Sequence, residues 1–223
     1  MSAPPGPRGT LAPRPSLVVL DGSPQPASRT LTVARFLAHR LATSLPARPP
    51  AALGPEGTAA AEGLDPSGAS GTTGAGSGTV ELARLAGDLF TDAHGLVRAR
   101  LAEVRDAEVL VVATPAYKGQ YTGLLKAFLD LLPPGALAGT LVVPVVVANA
   151  PEHRVTTDVA LRAVLAELGA TLPVRSFTLV EAALGEVEAH GERWLSAHLR
   201  VLRAVLTALA PPTAPLNGSR PAA

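Results

Sequence analysis

The chain has 223 residues, of which 47% are hydrophobic, and its formal net charge at pH 7 is +1. This length and composition allow one sizeable hydrophobic core, so we expect a single domain. The near-neutral charge disfavours a nucleic-acid-binding surface, and the absence of cysteine excludes disulfides, thiolate metal sites and a cysteine nucleophile.

The chain begins with a proline-rich stretch, residues 1–15, which we predict to be a disordered leader. This stretch lacks the apolar central run of a signal peptide, and no segment approaches the roughly 18 apolar residues of a membrane-spanning helix. We therefore expect a cytoplasmic protein with no membrane or nucleic-acid partner. The five histidines are scattered without a carboxylate-flanked pair at helical spacing, so we expect no metal site.

After the leader, aliphatic runs alternate with stretches of helical spacing. The predicted strands are Ser16–Leu20, Val80–Leu85, Glu108–Thr114, Leu141–Ala148 and Val174–Val180. The first predicted helix begins at Thr30, and the others are Leu96–Ala107, Thr122–Leu132, Thr156–Leu168 and Gly191–Leu209. Gly169 follows the fourth helix, where a left-handed residue often ends a helix. Pro144 removes one backbone donor from the fourth strand, so the sequence does not decide at which residue that strand begins.

Residues 46–78 interrupt this alternation and consist mostly of Ala, Gly, Pro, Ser and Thr. Such a segment buries too little apolar surface to offset the entropy lost on ordering it. We predict a disordered insertion within one domain that spans residues 16–210. Residues 211–223 are proline-rich, and we predict a disordered tail.

Five strand–helix repeats predict a parallel sheet with right-handed crossovers and helices on both faces. This is the flavodoxin-like α/β fold, a three-layer sandwich with strand order 2-1-3-4-5. Ligands bind such sheets at the carboxyl ends of the strands, where the strand order reverses. In this order the reversal lies between the first and third strands, so their following loops are the candidate site.

The loop after the first strand, Asp21–Thr30, suits a phosphate group. A loop that enters a helix offers unpaired backbone N–H groups and the positive end of the helix dipole. Its side-chain donors are the hydroxyls of Ser23, Ser28 and Thr30 and the guanidinium of Arg29. The loop has neither the lysine of a P-loop nor the three glycines of the dinucleotide motif. The alternative is that Ser28 or Thr30 only caps the helix and that Arg29 is a solvated surface charge.

The loop after the third strand, Thr114–Gly123, suits the edge of a flat ring. Pro115 holds the preceding Thr114 extended, and Ala116 leaves room for a ring to approach. Tyr117 can pack along the ring, and Lys118 can place a positive charge beside it. The alternative is that Tyr117 and the nearby Tyr121 are only packing residues. A phosphate loop beside a ring loop indicates a site for flavin mononucleotide (FMN).

Three sequence patterns resemble one known family. They are Gly-Ser-Pro followed by Ser-Arg-Thr, then Val-Val-Ala-Thr-Pro-Ala-Tyr-Lys, then Tyr-Thr-Gly-Leu-Leu-Lys with Phe-Leu-Asp-Leu-Leu-Pro. Over Ser16–Leu45 and Val80–Leu209 the chain is similar to the NADPH-dependent FMN reductases, particularly the reductase component of bacterial alkanesulfonate monooxygenase systems. The resemblance implies hydride transfer from NADPH, with NADH as the alternative donor, to FMN and delivery of reduced FMN to a partner monooxygenase. It also implies a homodimer or homotetramer.

The resemblance also assigns residues to the flavin. Those expected at the phosphate are Ser23, Ser28, Arg29 and Thr30. Those expected at the ring edge are Thr114, Pro115, Ala116, Tyr117 and Lys118. The chain has Ala148–His153 where such reductases have a glycine-rich turn, so the choice of pyridine nucleotide and the retention of flavin stay open.

Hydride transfer is the chemistry of the flavin and the nicotinamide, so we nominate no catalytic side chain. One alternative is a quinone or azo reductase that keeps FMN bound. Another is a non-enzymatic flavodoxin-type electron carrier. Such carriers are usually strongly acidic, and the net charge of +1 disfavours that alternative.

Overall fold

The structure, a computed structural model, describes residues 15–46, 77–91 and 95–210. Apart from their end residues, the predicted leader, insertion and tail lie outside these ranges. Within the described ranges, no helix combines the length and apolarity required to cross a bilayer.

The described residues form five strands and five α-helices that alternate along the chain. The strands are β1 (Leu17–Asp21), β2 (Ser77–Glu81), β3 (Val109–Pro115), β4 (Leu141–Ala148) and β5 (Phe177–Val180). The helices are α1 (Arg29–Ser44), α2 (Gly95–Arg105), α3 (Gly123–Leu129), α4 (Pro151–Glu167) and α5 (Val187–Leu209). Gly169 has a φ of 85° just after α4, as predicted for the residue that ends this helix.

All five strands are parallel and lie in the order β2-β1-β3-β4-β5. The predicted flavodoxin-like α/β fold and its strand order are therefore confirmed. β1 and β3 are neighbours, and Asp21 at the end of β1 pairs with Ala113 of β3. The loops that follow these two strands consequently leave the sheet side by side.

Helices cover both faces of the sheet. Leu37 of α1 and Leu202 of α5 pack with Val111 and the other residues that β3 directs to one face. On the opposite face, Phe128 of α3 packs with Val112 and with residues of α2 and α4. The central strands are buried on both faces, which explains why their sequences are continuous aliphatic runs.

The predicted bounds were wrong for the strand nearest the insertion. β2 begins at Ser77, inside the predicted insertion, and ends at Glu81 rather than at Leu85. Residues 82–84 form a 3₁₀ turn that buries Leu82 against the core. The chain leaves the sheet here because β1, which pairs with β2, ends at the paired Asp21.

The last strand also begins later than predicted, at Phe177 instead of Val174. The Arg162 guanidinium donates to the carbonyl oxygens of Leu172 and Val174 at 3.1 Å and 2.9 Å. These contacts satisfy the backbone of the segment before β5 through a side chain instead of through the sheet.

Pro144 lies inside β4 without a missing partner. Leu141 donates its N–H to Glu108 on the β3 side, and Val142 donates to Thr171 on the other side. In a strand, the backbone N–H groups of alternate residues point to the same neighbouring strand, so the nitrogen of Pro144, like that of Val142, faces the β5 side. Pairing with β5 begins only at Val145, so β4 starts at Leu141 and loses no ladder bond to the proline.

Candidate functional site

Two loops form the candidate site at the carboxyl ends of β1 and β3. The first loop comprises residues 22–28, between β1 and α1, and the second loop comprises residues 116–122, between β3 and α3. The structure brings together the two groups of residues that the sequence assigned to the phosphate and to the ring.

Gly22 joins the two loops through its backbone. Its N–H donates to the Ala113 carbonyl at 2.8 Å, and its own carbonyl accepts the Thr122 hydroxyl at 2.5 Å. A Cβ atom at Gly22 would lie 2.7 Å from the Cβ of Leu125, which is a steric clash, so glycine is the residue that fits here. The Thr122 hydroxyl also accepts the Leu125 N–H and so caps α3. Sequence reasoning placed Thr122 in a helix and missed its contact with the first loop.

The hydroxyls of the first loop make local hydrogen bonds. Ser28 caps α1 by accepting the Leu31 N–H at 2.9 Å, and it donates its own proton to Asp21 Oδ2 at 3.2 Å. The buried Ser23 accepts the Gln25 N–H at 3.2 Å. The capping role that the sequence offered as an alternative for Ser28 is present. Thr30 is buried at the second position of α1.

Asp21 is a buried carboxyl group directly beneath the first loop. Its side chain accepts the Ser23 N–H at 3.3 Å and the Ser28 hydroxyl at 3.2 Å, and the residue is 1% exposed. Burial raises the pKa of Asp21 from 3.8 to about 6, against the lowering effect of these two hydrogen bonds. The charge of the neighbouring Glu81 raises this pKa further. Sequence reasoning gave Asp21 no role, although an acid that ends an apolar strand was a visible signal.

Glu81 is a second carboxylate beside the first loop, because the sheet register pairs it with Asp21. It accepts the Ala27 N–H at 3.5 Å. It also forms ion pairs with Arg35 at 3.2 Å and Arg84 at 3.3 Å. Ala27 has a φ of 51°, in the left-handed region that few residues other than glycine adopt. The exposed tip of the loop is thus held to the edge strand by an acidic side chain.

Arg29 reaches the far side of the site through an ion pair. Its Nη2 atom lies 3.0 Å from Glu181, the residue that follows β5. With its amide nitrogen oriented toward Glu181, Asn149 donates to both oxygens of the same carboxylate at 2.9 Å. The guanidinium is exposed but not simply solvated, since it connects α1 with Glu181 after β5, and Glu181 in turn contacts Asn149 after β4.

The second loop is held by its own backbone. Tyr117 and Gln120 exchange backbone hydrogen bonds at 2.8 Å and 3.0 Å. Lys118 and Gly119, the two residues between them, have φ angles of 52° and 75°, which is the pattern of a type I′ turn. The Ala116 N–H donates to the Val147 carbonyl at 2.7 Å and fixes the start of the loop on β4.

The residues predicted at the ring edge divide into buried and exposed groups. Thr114 is buried at the end of β3, and its hydroxyl accepts the Thr122 N–H at 3.3 Å. Pro115 ends β3, and Ala116 is buried beside it. Tyr117 is 48% exposed on the turn, whereas Tyr121 packs against the core. The packing alternative therefore applies to Tyr121 and not to Tyr117.

The first two turns of α4 adjoin the second loop. A Cβ atom at Gly119 would lie 3.1 Å from Thr156 Oγ1 and 3.6 Å from His153 Cδ2. His153 is half-buried within α4, where sequence reasoning favoured an exposed loop histidine. Among the residues that the structure describes, no cluster of His, Asp or Glu could hold a metal ion.

Comparison with known proteins identifies the family. The sequence profile of the family described as NADPH-dependent FMN reductase matches residues 15–184, well over half of the chain. The chain belongs to this family. The family resemblance predicted from the sequence patterns is thereby confirmed.

Individual members of the family share shorter segments with the chain. The FMN reductase (NADPH) of Escherichia coli K12 is 44% identical over 68 residues, which are 30% of this chain and 36% of that protein. The NADH-dependent FMN reductase SfnF of Pseudomonas fluorescens Pf0-1 is 35% identical over 79 residues, 35% of this chain and 42% of that protein. The chain thus spans well under two thirds of these relatives' lengths.

A solved structure of an FMN oxidoreductase aligns with most of the chain. The apo form of NADH:FMN oxidoreductase (EMOB) superposes with a TM-score of 0.59 at 25% sequence identity. The alignment covers 87% of this chain and 88% of that one. The fold on which the two loops are placed is therefore that of a known FMN oxidoreductase.

Proposed function

We propose that the protein reduces FMN by hydride transfer from a pyridine nucleotide. The observation that carries this proposal is the junction at Gly22, which holds the donor-rich first loop beside the second loop at the switch point of the sheet. Membership of the FMN reductase family supports the same activity.

The first loop would hold the phosphate of FMN. Donors for it are the hydroxyls of Ser23 and Ser28, the start of α1 around Thr30, and the guanidinium of Arg29. The ion pair of Arg29 involves Nη2, and a guanidinium carries five N–H groups, so the side chain can bind a carboxylate and a phosphate together.

The second loop would hold the isoalloxazine ring. Thr114, Pro115 and Ala116 provide a rigid edge, because the Ala116 N–H is already fixed to β4. Tyr117 offers an exposed aromatic face, and Lys118 brings a positive charge to the turn. When bound, the flavin supplies the hydride acceptor, and the protein's part is to orient the ring and stabilise developing negative charge.

We further propose that reduced FMN leaves the site for a partner monooxygenase, and that the protein works as a homodimer or homotetramer. An open site supports release, since residues 24–27 of the first loop are exposed. Both NADPH- and NADH-dependent enzymes occur among the relatives, so either nucleotide is a candidate donor.

One assay tests the function. Purified protein is mixed with NADPH or NADH and excess free FMN, and the loss of the reduced nucleotide's absorbance is followed. Consumption of many equivalents per protein is the expected result. Turnover only with a quinone or azo acceptor, with FMN held tightly, indicates the reductase alternative. No turnover with either nucleotide, together with a one-electron-reduced bound flavin, indicates an electron carrier.

The phosphate assignment predicts the effect of Arg29→Ala. Loss of a hydrogen bond to a charged group should weaken FMN binding by about 1.5–3 kcal/mol. A matched control is Arg40→Ala, which removes an α1 arginine that is also ion-paired, here with Glu192. Fluorescence titration of FMN should show a change for the first variant only. Equal affinities for both variants would remove Arg29 from the phosphate site.

A further inference from the structure

We propose that Asp21 sets the affinity for the flavin phosphate by competing with it for the donors of the first loop, so that FMN binds together with a proton. This inference rests on the proposed function, because it requires the phosphate to occupy the first loop.

The competition follows from the hydrogen bonds of the loop. A serine hydroxyl has one proton to donate, and that of Ser28 is directed at Asp21 Oδ2 while its oxygen accepts the Leu31 N–H. The Ser23 N–H is directed at Asp21 Oδ1. A phosphate in the loop would compete for these two donors, the Ser28 hydroxyl and the Ser23 N–H, in addition to the Ser23 hydroxyl. It gains them only if the carboxylate gives them up.

Protonation of Asp21 releases both donors and removes a charge conflict. A phosphate monoester carries about −1.5 to −2 charges at neutral pH, and an ionised Asp21 would repel it from a buried position. The neutral carboxyl group repels the phosphate less and has an O–H of its own to donate. Burial already raises the pKa of Asp21 to about 6, which makes this protonation accessible near neutral pH.

Two other charged groups act on Asp21 in opposite directions, since Glu81 raises its pKa and Arg35 lowers it. On β2, Glu81 adds a second negative charge, and Arg35 of α1 is ion-paired with that glutamate. On β3, the residue paired with Asp21 is Ala113.

A carboxyl group in this position lowers the affinity for FMN as pH rises, because it becomes ionised. This property suits a reductase whose flavin must exchange with solution at every turnover. A neutral residue in place of Asp21 would favour retention of the flavin. Asp21 is therefore an affinity-determining residue that acts through Ser23 and Ser28.

The test compares FMN and riboflavin, which lacks the phosphate. Dissociation constants are measured from about pH 5 to about pH 8 for the wild type, for Asp21→Asn and for the control Asp106→Asn. The control removes the charge of an exposed acid just after α2, at the amino ends of the strands and so away from the candidate site. The FMN phosphate has its own ionisation near pH 6, and this affects all three proteins alike.

We expect the FMN dissociation constant of the wild type to rise by up to about tenfold per pH unit above pH 6, since each binding event takes up one proton. Asp21→Asn should lose this component and, over the two pH units involved, bind FMN about tenfold to a hundredfold more tightly than the wild type near pH 8. Asp106→Asn should follow the wild type, and riboflavin affinity should be the same for all three proteins.

A folded Asp21→Asn protein that binds FMN no more tightly than the wild type near pH 8 overturns the inference. A second measurement needs no variant: calorimetry of FMN binding to the wild type near pH 7, in buffers of different ionisation enthalpy, should show proton uptake. Proton release or no exchange overturns the inference while FMN turnover and the proposed function stand. No FMN binding by the wild type at any pH overturns the proposed function as well.

Discussion

The first and second loops reach the same site by different physical means. The first loop is organised by side chains, chiefly the carboxylates of Asp21 and Glu81, which accept backbone N–H groups from within it. The second loop is organised by a backbone turn closed between Tyr117 and Gln120. The geometry of the first loop therefore depends on ionisation, whereas that of the second depends on φ angles that only some residues tolerate.

The largest expected effect concerns the ionisation of Asp21 and the stability of the fold. The pKa of Asp21 rises from 3.8 to about 6 on folding, so the folded state binds this proton more tightly than the unfolded chain. The resulting stability is complete below about pH 4 and is lost as pH rises through about 6. Asp21→Asn should therefore gain about 3 kcal/mol relative to the wild type between those limits. Urea denaturation at a series of pH values measures it, and a pH-independent difference would contradict it.

Substitution at the junction of the two loops should have the next largest effect. In Gly22→Ala the new Cβ atom would lie 2.7 Å from the Leu125 Cβ and 3.1 Å from the Ala113 carbonyl oxygen. We expect a loss of about 1–3 kcal/mol of stability and weaker binding of both FMN and riboflavin. The control is Gly123→Ala, whose Cβ meets nothing within 4 Å. If both variants melt and bind flavin alike, Gly22 does not couple the loops.

The smallest effect is expected in the second loop. Gly119→Ala places a side chain at a φ of 75° and 3.1 Å from Thr156 Oγ1, for a cost of about 1–2 kcal/mol. Gly135→Ala has nearly the same backbone strain, at a φ of 72°, but its Cβ meets nothing within 4 Å. Turnover should therefore fall more for Gly119→Ala, and this difference should not vary with pH. A difference that follows the ionisation of Asp21 would mean that the second loop also depends on charge.

Much of the fold was predictable because a strand buried on both faces has a recognisable mark in the sequence, a continuous run of aliphatic residues. The three central strands are covered on both faces and appear as aliphatic runs, so their bounds were predicted to within a residue. The edge strands lack this mark. There the chain is directed by partners that no local pattern shows, such as Arg162, which binds the carbonyls before β5.

The candidate site was predictable as two loops but not as a network. Ser28 and Arg29 are visible in the sequence, whereas the Thr122–Gly22 contact joins residues 100 positions apart and the Arg29–Glu181 contact joins residues 152 apart. Glu81 reaches the first loop only because the register of β2 pairs it with Asp21. Contacts of this kind depend on strand register and on which loop side chains meet in space, and local sequence patterns do not encode these.

The backbone of Gly22 has a consequence for how this site can change over evolutionary time. One residue contacts the scaffold of both halves, through its N–H to Ala113 and through its carbonyl to Thr122. A mutation that repositions the first loop, proposed to hold the phosphate, therefore also moves the second loop, proposed to hold the ring. Adaptation to a different flavin would consequently require paired substitutions, whose effects should be non-additive.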